Sequence, residues 1–143
     1  MNDELQQEIA LACQRLIAAF AYHVDHRSAD WVASVFTQDT TFERRGEVLV
    51  GREAIRAAMQ QRPAHIMTRH LCCPPHVEVI DSQEAVAVTP FTLYRVERTG
   101  APAPAVPVTS SPELVGEYED RLLRTPEGWR IKTRRATAIF SCR

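Results

Sequence analysis

Apolar residues recur at three- and four-residue steps in the first part of the chain and at two-residue steps in its second half. Leu5, Ile9, Ala12, Leu16, Phe20 and Val24 make one face of a long amphipathic helix over residues 3–26, with no Gly or Pro inside it. Ser28 is a candidate N-cap for a short helix over 29–36, with Asp30 favourable in its first turn and Trp31, Val32 and Val35 inward. β-branched and aromatic content predicts short strands at 40–44 and 48–50, joined by a turn at Gly46. A third helix over 51–59 turns Ile55, Ala58 and Met59 inward and is ended by Pro63.

From Thr68 the period is two, and strands are predicted at 68–80, 85–98, 114–125 and 129–140. Pro74–Pro75 makes a bulge or edge irregularity in the first, and Pro90 raises the same question in the second, because a proline nitrogen cannot donate to a ladder. Thr125-Pro126-Glu127-Gly128 is a tight hairpin turn, and the proline-rich stretch 101–112 reads as a long hairpin loop or flap.

Helices followed by a mostly antiparallel sheet give an α+β fold, and 143 residues are one domain, 1–143, able to bury a core without metal or disulfide staples. Val86, Val88 and Val96 alternate with Ala87, Phe91 and Leu93, so both faces of the sheet are apolar. One face covers the helices; the other calls for a partner, and a homodimer through the outer sheet face is the simplest source. With 45% hydrophobic and 24% charged residues the chain is globular. Its net charge of −1, from 17 basic and 18 acidic residues, argues against nucleic acid or an anionic membrane surface as partner. No apolar run approaches the ~18–20 residues of a bilayer span. The acidic, polar start is unlike a secretion signal, so the expected location is cytoplasmic, with Cys13, Cys72, Cys73 and Cys142 as reduced thiols.

A set of short motifs runs through the chain in order: Val24-Asp25, Asp30-Trp31, Val35-Phe36, Asp39, Gly51-Arg52-Glu53-Ala54-Ile55, Arg69-His70, the stretch from Gly116 to Arg124, Gly128-Trp129-Arg130-Ile131 and Arg134-Arg135. Together they resemble the SnoaL-like branch of the nuclear-transport-factor-2-like superfamily. The resemblance implies a cone: three N-terminal helices packed on a curved, mostly antiparallel sheet around a pocket, in a protein that is usually dimeric. It also implies that Asp25 and His70 are similar to the Asp–His pair of scytalone dehydratase and hexachlorocyclohexane dehydrochlorinase. There the histidine is the general base of an elimination and the aspartate orients it. Two departures stand out. Phe20 occupies the place of a dehydrochlorinase lysine, and Pro74 that of an asparagine found in many relatives, which leaves dehydration or isomerisation more open than dehalogenation.

The chemistry has a physical basis of its own. A neutral imidazole takes a carbon-bound proton near pH 7, and a carboxylate on its other nitrogen fixes the tautomer and stabilises the imidazolium. An ideal wheel of ~100° per residue puts Asp25 opposite the Leu5–Phe20 stripe and His23 on it, so either the helix end departs from ideal or His23 is the pocket residue. Tyr22, Tyr94 and Tyr118 are candidate substrate-binding donors beside His23. His70-Leu71-Cys72-Cys73-Pro74-Pro75-His76 has soft ligands, but alternation turns Cys73 away from His70 and Cys72, and no metal site is expected. The resulting expectation is a cofactor-free lyase or isomerase for a small cyclic or aromatic metabolite. The alternatives are a non-catalytic ligand-binding or assembly subunit of the ring-dioxygenase small-subunit type, whose Asp and His need not converge, or a polyketide-type cyclase.

Overall fold

The computed structural model describes residues 1–98, 100, 105 and 111–142. Its first helix, α1 (Asp3–Asp25), starts where the Asn2 side chain accepts the Leu5 N–H at 2.9 Å, with Asp3 and Glu4 complementing the helix dipole. It stops just after Asp25. Ser28 N–H donates to His23 O and Arg27 N–H to Val24 O, a Schellman closure that places Arg27 in the left-handed region at φ 60°. Glycine is the usual residue there; here the Arg27 guanidinium bonds Ile66 O at 3.1 Å and Arg62 O at 2.8 Å, tying the helix end to the segment 62–66.

The buried stripe of α1 runs through Ile9, Cys13, Ile17, Phe20, Ala21 and Val24. It is rotated by ~90° from the Leu5–Ala12–Leu16 line expected from the sequence. Then come α2 (Ala29–Ser34), β1 (Phe36–Arg44), β2 (Glu47–Val50) and α3 (Arg52–Gln60). Ser28 stands at the N-cap of α2 as expected, but its side chain makes no capping hydrogen bond. Trp31, expected inward, is 63% exposed and stacks on the His23 ring instead, at 5.5 Å. Arg52 anchors α3 by donating to Phe36 O and to Glu127 at the hairpin opposite.

The remaining strands are β3 (Ile66–Cys72), β4 (His76–Val79), β5 (Glu84–Glu97), β6 (Leu114–Thr125) and β7 (Gly128–Ser141). They complete a curved seven-stranded sheet in the order β2-β1-β7-β6-β5-β3, with β4 also paired to β5. All pairings are antiparallel except β1 with β7. The prolines divide one expected strand into β3 and β4, both laid along β5. Cys73 N–H donates to Pro90 O at 2.9 Å. Since N–H and C=O of one residue point to the same side of an antiparallel strand, the donor that Pro90 lacks faces the Pro74–Pro75 gap. The expected flap at 101–112 falls largely outside the described residues.

Alternation sorts β5 into an inner face (Ala85, Ala87, Thr89, Phe91, Leu93) and an outer one that includes Val86 and Val88. The inner face joins Phe20, Phe36, Phe42, Ile55, Tyr118, Leu122 and Ile131 in one core. Within that core Arg134 and Asp120 form a bidentate ion pair, at 2.6 and 2.7 Å, with both side chains fully buried. The guanidinium carbon lies 4.0 Å from the Tyr118 ring centroid and 4.3 Å from that of Phe20. Burial works against the Arg134 charge, but the Asp120 carboxylate more than offsets it and holds its pKa above the ordinary value.

Candidate active site

The end of α1 meets the inner face of β3. Asp25 Oδ2 accepts the backbone N–H of His70 at 2.7 Å, and Asp25 Oδ1 contacts His70 Nδ1 at 2.6 Å. A second donor, the Thr68 hydroxyl, reaches Oδ1 at 2.9 Å. Arg62 completes the chain, with Nη2 donating to Thr68 Oγ1 at 2.9 Å and Nη1 to Val24 O at 2.8 Å. The side chains of Asp25 and His70 are only 6% and 10% exposed.

Burial alone pushes the Asp25 carboxyl up. The His70 ring and backbone N–H, with Thr68, outweigh it and hold the pKa below the usual carboxylate range. An ionised Asp25 accepts only, so Nδ1 of His70 carries the proton and Nε2 is left as the basic nitrogen. The depressed value also has a stability consequence. Asp25 contributes stability that is fully present above the unfolded-state pKa of about 3.9 and is lost as pH falls through the lower folded value. Wild type should therefore lose more of its thermal midpoint than Asp25→Asn as pH is lowered from about 5 to about 2. Parallel curves for the two proteins would rule this linkage out.

His70 lies on the wall of a cavity of about 510 Å³. Its floor is apolar, from Phe20, Val24, Phe42, Met59, Phe91 and Tyr118. Phe91 stacks on Tyr118 at a centroid distance of 4.2 Å and reaches the His70 ring at 5.9 Å. Gly116 makes that stacking possible: a Cβ there would stand 2.7 Å from the Phe91 ring and 2.8 Å from the Thr137 carbonyl. Tyr118 is buried, which pushes its phenol pKa up and keeps it a hydrogen-bond donor.

The other three residues expected in the pocket lie outside its lining. Tyr94 alternates with Leu93 and so falls on the outer face of β5. Tyr22 is 58% exposed, stacked on His26. His23 sits against Trp31, away from the cavity, because the rotated stripe of α1 carries it to the edge of the packed face. Asp25 is the last residue of α1, and it enters because its carboxylate reaches from the helix end to His70 and Thr68. Thr68 and Arg62 were not anticipated, although Thr68 shares a strand face with His70, two residues away. Among the described residues no three of His, Cys, Asp and Glu gather as metal ligands would.

The SnoaL-like domain family matches residues 6–135. The chain belongs to that family. No curated protein matches this SnoaL-like chain in sequence. Among solved structures it is similar to a Novosphingobium aromaticivorans protein with a provisional assignment as a scytalone dehydratase. That pair has a TM-score of 0.81 and 16% identity over 97% of this chain and 89% of that one. A hexachlorocyclohexane dehydrochlorinase is similar at a TM-score of 0.79 and 14% identity, over 97% of this chain and 90% of the other. A Mycobacterium tuberculosis protein of unknown function reaches 27% identity at a TM-score of 0.76, covering 93% of this chain and 77% of its own. At the first two identities the likeness shows the fold, and neighbours with lower TM-scores are themselves described as NTF2-like or as having a cystatin-like fold. Among the described residues no helix of the SnoaL-like chain is long and apolar enough to cross a membrane.

Proposed function

We propose that this SnoaL-like protein is a cofactor-free lyase or isomerase of the dehydratase type, acting on a small cyclic or aromatic substrate. The observation that carries the reading is the Asp25–His70 contact of 2.6 Å on the wall of an apolar cavity. His70 Nε2 removes a proton from a carbon beside a carbonyl or a leaving hydroxyl. The electron pair then either expels the hydroxyl, which departs as water after receiving a proton, or moves into the carbonyl and returns at another carbon. Asp25 stabilises the imidazolium in between, and Tyr118 donates to the oxygen that gains charge. The proton taken by His70 is given back, so nothing else is consumed. An assembly subunit needs no such convergence, which favours the catalytic reading over that alternative. The test is incubation with small cyclic hydroxyketones in deuterium oxide, followed by NMR. Enzyme-dependent deuterium uptake or olefin formation is expected, and its absence across such a panel would count against the reading.

We further propose that the protein is a homodimer formed through the outer sheet face. Val48, Val50 and Val88 are 57%, 68% and 36% exposed. Val48 and Val88 line a second, shallower depression with charges of both signs, including Glu78, Glu119 and Arg121, so the surface can complement itself. Sedimentation equilibrium at micromolar concentration should give twice the protomer mass, and Val88→Glu should halve it. A wild-type monomer would sink the proposal.

A further inference from the structure

The deep lining of the cavity is apolar, but its exposed end is not. Arg44, Arg45, Arg62 and Arg95 all line it, and each is more exposed than the buried Phe20, Phe91 and Tyr118 of the floor. This cationic rim belongs to a chain whose net charge is −1, so it is a local concentration. The carboxylates that line or approach the rim do not cancel it. Glu43 is engaged by Arg135 at 3.0 Å. Glu47 pairs with Arg44 at 3.3 Å, but it offsets only that one of the four rim charges. Arg45 and Arg95 have no carboxylate partner among the described residues. Burial and the like charges of Arg27, Arg44 and Arg45 depress the pKa of Arg62, in keeping with that convergence of positive charge.

We propose that the substrate carries a carboxylate and that the rim arginines, Arg95 and Arg44 foremost, bind it. Register sets the distance. Arg95 is paired with Thr68, and His70 with Leu93, so the arginine lies two residues along the inner face from the row of the base. Two residues of strand are about 6–7 Å, roughly the width of a six-membered ring. A ring seated over Leu93 with its carboxylate at Arg95 presents a far-side C–H to His70, with Phe91 one inner-face position further on. Charge-assisted bonding to guanidinium is both stronger and more directional than a neutral contact, so the rim fixes which carbon faces the base.

The inference rests on the same cavity as the proposed function, but a binding experiment separates the two, because binding needs no turnover. Naphthoate and its isosteric amide, naphthamide, are titrated calorimetrically into wild type, Arg44→Gln/Arg95→Gln, Arg44→Lys/Arg95→Lys and His70→Asn. Naphthoate should bind wild type about tenfold more tightly than the amide, as expected for hydrogen bonds to a charged group. That preference should disappear in the double Gln protein, persist in the double Lys protein and in His70→Asn, and weaken as salt is raised. Equal affinities in wild type, including no binding of either probe, would overturn the inference. So would a preference that survives the double Gln substitution, or one that vanishes in His70→Asn, which would make the imidazolium the anion's partner. Neither result bears on whether His70 removes a proton from a neutral substrate.

Discussion

His70→Asn should lower kcat/KM by about 10²–10⁴-fold, the range that positioned general acid–base groups contribute, while the fold stays intact. Asparagine keeps a side-chain donor within reach of Asp25 but offers no basic nitrogen to the cavity. The backbone bond from His70 N–H to Asp25 Oδ2 does not depend on the side chain, so the end of α1 stays attached to β3. Far-UV circular dichroism and the thermal midpoint should therefore match wild type within a few degrees. The rate should be read from initial deuterium incorporation into a substrate found by the NMR screen. A variant retaining more than about a tenth of wild-type kcat/KM would remove His70 from the chemistry, since that is below the smallest effect expected of a general base. Asp25→Asn should also be impaired, through loss of the tautomer that leaves Nε2 basic.

The largest stability effect should come from the buried pair beneath the cavity. Arg134→Met should cost about 3–5 kcal/mol, because it leaves the Asp120 carboxylate buried without its counter-ion. Against a total stability of about 5–15 kcal/mol for an ordinary domain, that is a large share. Arg134→Met/Asp120→Leu should recover most of the loss, since replacing both partners removes the unpaired charge rather than exposing it. The comparison is made from urea midpoints at constant m-value. A single variant costing less than about 1 kcal/mol would show that water or another group reaches Asp120 when Arg134 is gone. The effect should extend to the cavity. Arg134 lies over the faces of Phe20 and Tyr118, so its loss frees the two rings that make part of the floor.

Much of this architecture was legible because periodicity is a direct imprint of burial. The two-residue hairpin turn at Pro126-Glu127 and the span of β6 (Leu114–Thr125) follow from composition and alternation alone. The pair of Asp25 and His70 came from the resemblance, not from the wheel, which argued against it. The wheel erred because the expected stripe includes Ala12 and Leu16 but leaves out the fully buried Ile17. The smaller Cys13 and Ala21 are buried too and turn the centre toward Asp25. Tyr94, expected in the pocket, falls outside it for a different reason: residues 91–96 offer apolar or aromatic groups on both faces, and only pairing with the neighbouring strands decides which face is inside. The arginines of the rim carry no local pattern at all. Arg44 ends β1, Arg62 lies in the turn after α3 and Arg95 is in β5, and they meet only through tertiary structure.

The one parallel pairing of the sheet also orders events during synthesis. β1 is made early but lies between β2 and β7, and β7 follows every other described element along the chain. Until then β1 has only the short β2 beside it, although the strands α1 packs on most, β3 and β4, are already made. Closing β1 onto β7 brings together residues such as Phe42 and Arg134, far apart in sequence, and long-range closures of this kind are slow. The nascent chain thus carries β1 with one edge unpaired until β7 is made, and an unpaired strand edge is open to wrong pairing in that interval.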